Sequence, residues 1–136
     1  MSVKSSTGLE ENVASALCYA LGWLSGLVFF FIEKDNKTVR FHALQSIITF
    51  GTLHLIFWVI GLLSGIILRA VIRSAGYYAF GYVVFSGLFT LLSIVIGLAI
   101  FICWAILIYK TYNGQKIKLP IAGKIAAKHT GEEISM

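Results

Sequence analysis

The sequence predicts an all-α fold, a polytopic helical bundle integral to a membrane, and three observations predict it. Of 136 residues 58% are apolar and only 12% charged, long stretches carry no charged side chain, and the single proline lies near the C-terminus. An ordinary soluble domain is about 45–50% apolar and about 25% charged. Uncharged runs longer than about 18 residues fit neither a soluble enzyme, nor a disordered tail, nor a disulfide-stapled secreted module.

The first element is Val13 to Ile32, twenty residues without a charge. At about 1.5 Å per residue a helix of this length crosses a hydrocarbon core of about 30 Å. It is preceded by Glu10 and Glu11 and lacks an A-x-A-like cleavage site, so it reads as a retained span rather than a signal peptide. The second span, about 43–68, carries Gln45 and His54 and ends at Arg69 and Arg73. From Ser74 to Tyr109 the chain has no acid, Lys or Arg, a stretch long for one span and short for two. Three spans are preferred, the third over about 84–109, with Tyr77, Tyr78, Phe80 and Tyr82 as an interfacial aromatic belt; four spans also fit. The three-span arrangement puts Lys34, Lys37, Arg40 and the five tail lysines on the cytoplasmic side, eight basic residues against three. A four-span one gives the same ratio, so the charges place only the C-terminus, which is expected in the cytoplasm.

Lipid gives apolar side chains no reason to prefer protein, so helices should meet where small residues permit close approach. Gly22 and Gly26 form such a pair in the first span, Gly61 and Gly65 in the second, and Gly97 lies on a Ser/Thr-bearing stripe of the third. The strings GWLSGLV and GLLSGII look alike and read as convergence on one packing solution. His54 is an intramembrane ionisable residue, read as a neutral imidazole bonded to a neighbouring helix. A proton relay would need a second titratable group there, and no Asp or Glu occurs between Asp35 and Glu132. Cys18 and Cys103 read as small apolar residues, and no metal-ligand spacing or cofactor motif is present.

Two boundary segments are more patterned than membrane solubility requires. VRFHALQSI, Val39 to Ile47, reads as an interfacial helix entrance in which Arg40 snorkels, Phe41 anchors, and His42 with Gln45 meets water or holds a backbone loop or a partner chain. In the basic tail, residues 110–136, Asn113 and Gly114 make a turn and Pro120 begins a short amphipathic helix. Lys110, Lys116, Lys118, Lys124 and Lys128 form a cationic apron for anionic lipid headgroups; nucleic acid is not an expected partner. The last seven residues, Thr130 to Met136, read as frayed.

TGLEENVASALCYALGW, EKDNKTVRFHALQSI and YKTYNGQKIKLPIAGKIA resemble a family of small prokaryotic membrane proteins of unassigned function. That family is grouped with the twenty-kilodalton Tic subunit of the chloroplast import translocon. The resemblance implies a plasma-membrane helical bundle, with Arg40, Phe41, His42, Gln45, Asn113, Gly114 and Pro120 as partner-interface candidates. It also implies a part in protein translocation or membrane-protein assembly. The expected function is therefore a non-enzymatic membrane component that forms homo-oligomers or docks on a membrane protein. The alternative is an oligomeric channel for a small solute, motivated by His54 and the hydroxyl-bearing stripes.

Overall fold

The structure is a computed structural model that describes residues 4–73 and 79–132. It is helical: α1 (Glu11–Ala20), α2 (Trp23–Ile32), α3 (Lys37–Arg73), α4 (Ala79–Tyr112) and α5 (Ala122–Thr130). Among the described residues the one β-type pairing is an isolated bridge between Lys4 and Glu10. Two helices, α3 and α4, are long and apolar enough to cross a membrane. They contain the expected second and third spans whole, and α3 runs without a break through VRFHALQSI, which forms its first turns. Tyr77 and Tyr78 of the expected aromatic belt lie outside the described residues.

The expected first span is not one helix. The run breaks at Leu21–Gly22 between two ten-residue helices, the first of which begins at Glu11, each about 15 Å long and half what a crossing needs. Gly22 sits at φ 61°, ψ −132°, a conformation that a side chain disfavours strongly, and its N–H closes a turn onto the Tyr19 carbonyl. The chain reverses there. Asn36, just past α2, donates to the Glu11 carboxylate at the start of α1 at 2.8 Å, so α1 and α2 form an antiparallel hairpin with both ends at one level. Ser25 secures the turn by donating to the Cys18 and Gly22 carbonyls and accepting from the Leu21 N–H.

Two compact units divide the chain, one comprising Met1–Leu53 with Trp104–Met136 and the other His54–Cys103. In the first, the hairpin packs on the opening turns of α3, where Ala14, Cys18, Val39 and Ala43 make the buried cluster with Phe29 and Phe30 against it. Gly26 is what lets the helices close: a Cβ there would lie 2.8 Å from the Ala43 carbonyl oxygen. Asn36 caps α3, its Oδ1 accepting the Val39 N–H at 3.1 Å. The opposite side of the hairpin is bare apolar surface, including Leu21, Leu24, Val28 and Phe31.

The tail also folds back. Asn113–Gly114 ends α4 in a Schellman turn, with Gln115 N–H on the Lys110 carbonyl and Gly114 N–H on that of Thr111, and Gly114 at φ 76°. The chain then runs along α3: Lys116 reaches Thr38, Ile117 and Leu119 reach Gln45, and Pro120 to Ala122 lie beside Ile48, Thr49 and Thr52. From there α5 returns, and Glu132 ends against Lys116 at 2.6 Å and Thr38 at 3.0 Å. Glu132 is therefore pinned, contrary to the expected frayed end. Residues 133–136 lie outside the described part.

The second unit holds the remainder of α3 and most of α4. Ser64, Ser86, Thr90 and Ser93 each donate to a carbonyl three or four residues earlier on their own helix. A Cβ added at Gly61, Gly65 or Gly97 meets nothing within 4 Å. Gly22 and Gly26 are used within the chain, then, whereas the similar pair at Gly61 and Gly65 is open.

Candidate functional site

A connected group of buried polar side chains is built where α1, α3 and the tail meet. Gln45 is fully buried, and its amide clasps the passing tail backbone: Nε2 donates to the Ile117 carbonyl at 3.1 Å and Oε1 accepts the Leu119 N–H at 3.1 Å. This orientation of the amide is the one that satisfies both backbone groups. Nε2 also donates to the Tyr19 hydroxyl at 2.9 Å, and that hydroxyl meets His42 Nδ1 at 2.9 Å. With the Gln45 amide donating to the Tyr19 oxygen, the phenolic proton is available for Nδ1, which leaves the imidazole proton on Nε2. The Tyr19 carbonyl receives the indole N–H of Trp104 on α4 at 2.7 Å. Four segments thus converge on Tyr19 and Gln45.

Beside this network is a polar cavity of about 20 Å³ lined by Ser15, Thr38, His42, Thr111 and Lys116 among others, room for one water molecule. Further out, Glu33 is wholly buried, and among the described residues no cation pairs with it. Ser5 and Ser6 donate to its carboxylate through their hydroxyls, as do the backbone N–H groups of Ser6 and Asn36. Burial alone would raise its pKa, but these donors outweigh it and lower it to about 2. Glu132 is likewise lowered, its burial outweighed by the bonds from Lys116 and Thr38. Because the folded-state pKa of Glu33 lies below its ordinary value of 4.5, its contribution to stability is complete above about pH 4.5 and is lost as pH falls towards 2. Thermal unfolding of the detergent-solubilised protein should therefore show Tm falling across that window. Glu33→Gln should be less stable at neutral pH and show a flatter acid slope; an unchanged slope would assign the acid sensitivity to other groups.

The interface candidates divide by position. Phe41, His42 and Gln45 are buried and make their contacts inside the chain. The Arg40 guanidinium stands 5.0 Å above the Phe30 ring, a cation–π contact, while Asn113, Gly114 and Pro120 are exposed. Of the lysines, Lys116 is engaged by Thr38 and Glu132, Lys118 is half-buried, and Lys110, Lys124 and Lys128 are exposed. His54 is exposed on α3. Both cysteines are free thiols; Cys18 is buried, with Sγ directed at the Ala14 and Val39 carbonyls, and Cys103 is exposed. Among the described residues no group of three or more His, Cys, Asp or Glu is placed to hold a metal ion. Sequence reasoning missed Tyr19, Glu33 and Trp104. A tyrosine and a tryptophan in apolar runs are ordinary, and a loop glutamate gives no sign that it will be buried.

Comparison with known proteins found archaeal relatives that cover most of the chain. A UPF0132 membrane protein of Methanocaldococcus jannaschii is 39% identical over 127 residues, covering 93% of this chain and 94% of the relative. A second from that organism is 36% identical, covering 92% of this chain and 74% of the relative. One from Archaeoglobus fulgidus is 37% identical, covering 90% and 98%. No solved structure matches. The family model described as the magnetosome magnetite crystal formation protein family matches residues 10–126, a range that holds α1 to α4, the Tyr19–His42–Gln45 network and the start of α5. The chain therefore belongs to that family and is a membrane protein similar throughout to the archaeal UPF0132 proteins, whose molecular activity is unassigned.

Proposed function

We propose that this is a non-enzymatic component of a prokaryotic plasma membrane that works by docking, through its spanning helices, on copies of itself or on another membrane protein. The observation that carries the reading is the contrast between glycines. Gly26 is filled by α3, but Gly61, Gly65 and Gly97, on helices whose apolar faces the rest of the described chain scarcely covers, meet no atom within 4 Å. Glycine in a spanning helix weakens lipid packing and favours close helix contact.

The charge distribution supports a cytoplasmic position for the unit that holds both termini. Lys4, Lys34, Lys37, Arg40 and the five tail lysines belong to it, nine of the eleven basic residues, leaving Arg69 and Arg73 in the other. A two-span reading with both ends inside thus has a stronger bias than either arrangement expected from sequence. The resemblance to the plastid import subunit suggests that the docked partner is part of polypeptide translocation or membrane-protein assembly.

A photo-crosslinking residue at Leu62, 49% exposed and next to Gly61, tests this in native membranes. Adducts to the chain itself or to one defined membrane protein are expected; adducts to lipid alone would overturn the proposal. An oligomer that carries solute in liposomes, with flux lost in His54→Leu, would replace docking by the channel alternative.

A further inference from the structure

We propose that the groove between α3 and the Leu119–Ala122 turn binds one anionic glycerophospholipid of the surrounding membrane. Its acyl chain would lie along Ile48, Leu119 and Ile121, with the phosphate against Lys118 and Lys124. The groove has a volume of about 310 Å³ and is walled by Ile48, Thr49 and Thr52 on α3 and by the Leu119–Ala122 turn. This is the lower end of the range for small-molecule sites, about 300–1,000 Å³.

Three features select the occupant. The first is depth. α3 has 37 residues, about 55 Å, whereas the hydrocarbon core takes about 30 Å, so part of α3 stands outside it. The tips of both hairpins reach the same level of α3, Gly22 beside Phe50 and Ile121 beside Ile48 to Thr52. Each tip carries a bare apolar side chain, Leu21 at 73% and Ile121 at 75% exposure, as expected at a headgroup boundary.

The second feature is the polarity of the wall. The groove's hydroxyl-bearing residues are Thr49 and Thr52, and the Thr49 hydroxyl is itself buried. A peptide laid in this groove would bring amides that two threonine hydroxyls cannot satisfy. A lipid brings an apolar chain that needs no such partner. The third is charge: Lys118 lies one residue before the turn and Lys124 in the first turn of α5, and none of the groove's walls is acidic. Lysines at this level reach phosphate by snorkelling.

The inference needs α3 to span a membrane but not the docking proposed above, so lipid-only crosslinks at Leu62 would leave it standing. The test loads the full-length chain into nanodiscs of equal phosphatidylglycerol and phosphatidylcholine with matched chains, then counts lipids retained by native mass spectrometry. One phosphatidylglycerol per chain is expected, with a preference on the order of tenfold. The preference should vanish in a Lys118→Gln/Lys124→Gln variant, whose two changes are at solvent-accessible positions, and persist in Lys110→Gln. Ile48→Trp, which fills the groove, should lose both lipids while its thermal unfolding stays cooperative. Equal retention of the two lipids, or a preference that survives the double lysine change, would overturn the proposal.

Discussion

Gln45→Leu should release the C-terminal hairpin from α3 and cost about 3 kcal/mol or more. The substitution keeps an apolar body of similar size on α3 but leaves the Ile117 carbonyl and the Leu119 N–H without their side-chain partner, and takes one donor from the Tyr19 hydroxyl. Each buried polar group stranded in this way costs about 1–3 kcal/mol, a large share of a total stability of about 5–15 kcal/mol. The consequence is local before it is global, because the tail is held to α3 by this amide and by the Thr38, Lys116 and Glu132 cluster further along. Limited trypsin digestion should cut at Lys116 and Lys118 in the variant well before the wild type, alongside a lowered Tm. Gly123→Ala attacks the same clasp from the other side, since a Cβ there would sit 2.6 Å from Gln45 Oε1 and 2.7 Å from Lys118 Cγ; it should give the same cleavage pattern. Wild-type protection of the tail in both variants would show that the amide does not hold it.

The two long helices were legible in the sequence because a run of apolar residues with basic ends needs no long-range partner to declare itself. The hairpin was not. Val13 to Ile32 has the length and hydropathy of a span, and what divides it is one glycine at a backbone conformation that becomes favourable only when Ser25 and Ser46 take up the carbonyls of Cys18 and Gly22. A glycine in an apolar run marks close packing as often as it marks a break, so period and composition alone cannot separate the two. In the tail, the Asn113–Gly114 turn was readable from turn chemistry, and Pro120, read as the start of a short helix, lies two residues before α5. Its return along α3 was not, because recognition of a passing backbone by a glutamine amide has no sequence signature. His42 and Gln45, polar and one turn apart in an apolar segment, did announce that something there required hydrogen bonds. They gave no indication that the partners were Tyr19 and the chain's own residues 117 and 119.

Gly26→Ala should destabilise the chain and Gly61→Ala should not, although both replace a helical glycine and both gain about 0.5–1 kcal/mol of helix propensity. At Gly26 the new methyl carbon would lie 2.8 Å from the Ala43 carbonyl oxygen, 3.0 Å from Ser46 Cβ and 3.2 Å from Ile47 Cγ1. The nearest of these is backbone in the opening turns of α3, so relief requires the hairpin to lift off the helix as a body. Overpacking of this kind costs about 1–3 kcal/mol, and lifting also lengthens the 2.8 Å bond from Ser46 to the Gly22 carbonyl; a net loss of about 2 kcal/mol is expected. At Gly61 the methyl enters open space, and the isolated chain should be unchanged or slightly more stable. The pair also separates folding from docking. If Gly61 faces a partner in the membrane, Gly61→Leu should leave the Tm of the dispersed chain near wild type while abolishing crosslinks from a probe at Leu62. A Gly26→Ala chain should unfold earlier yet retain those crosslinks at temperatures where it is folded. Loss of stability at Gly61 in the dispersed protein would instead mean that this face is covered within the chain, and the basis for a docking surface there would be gone.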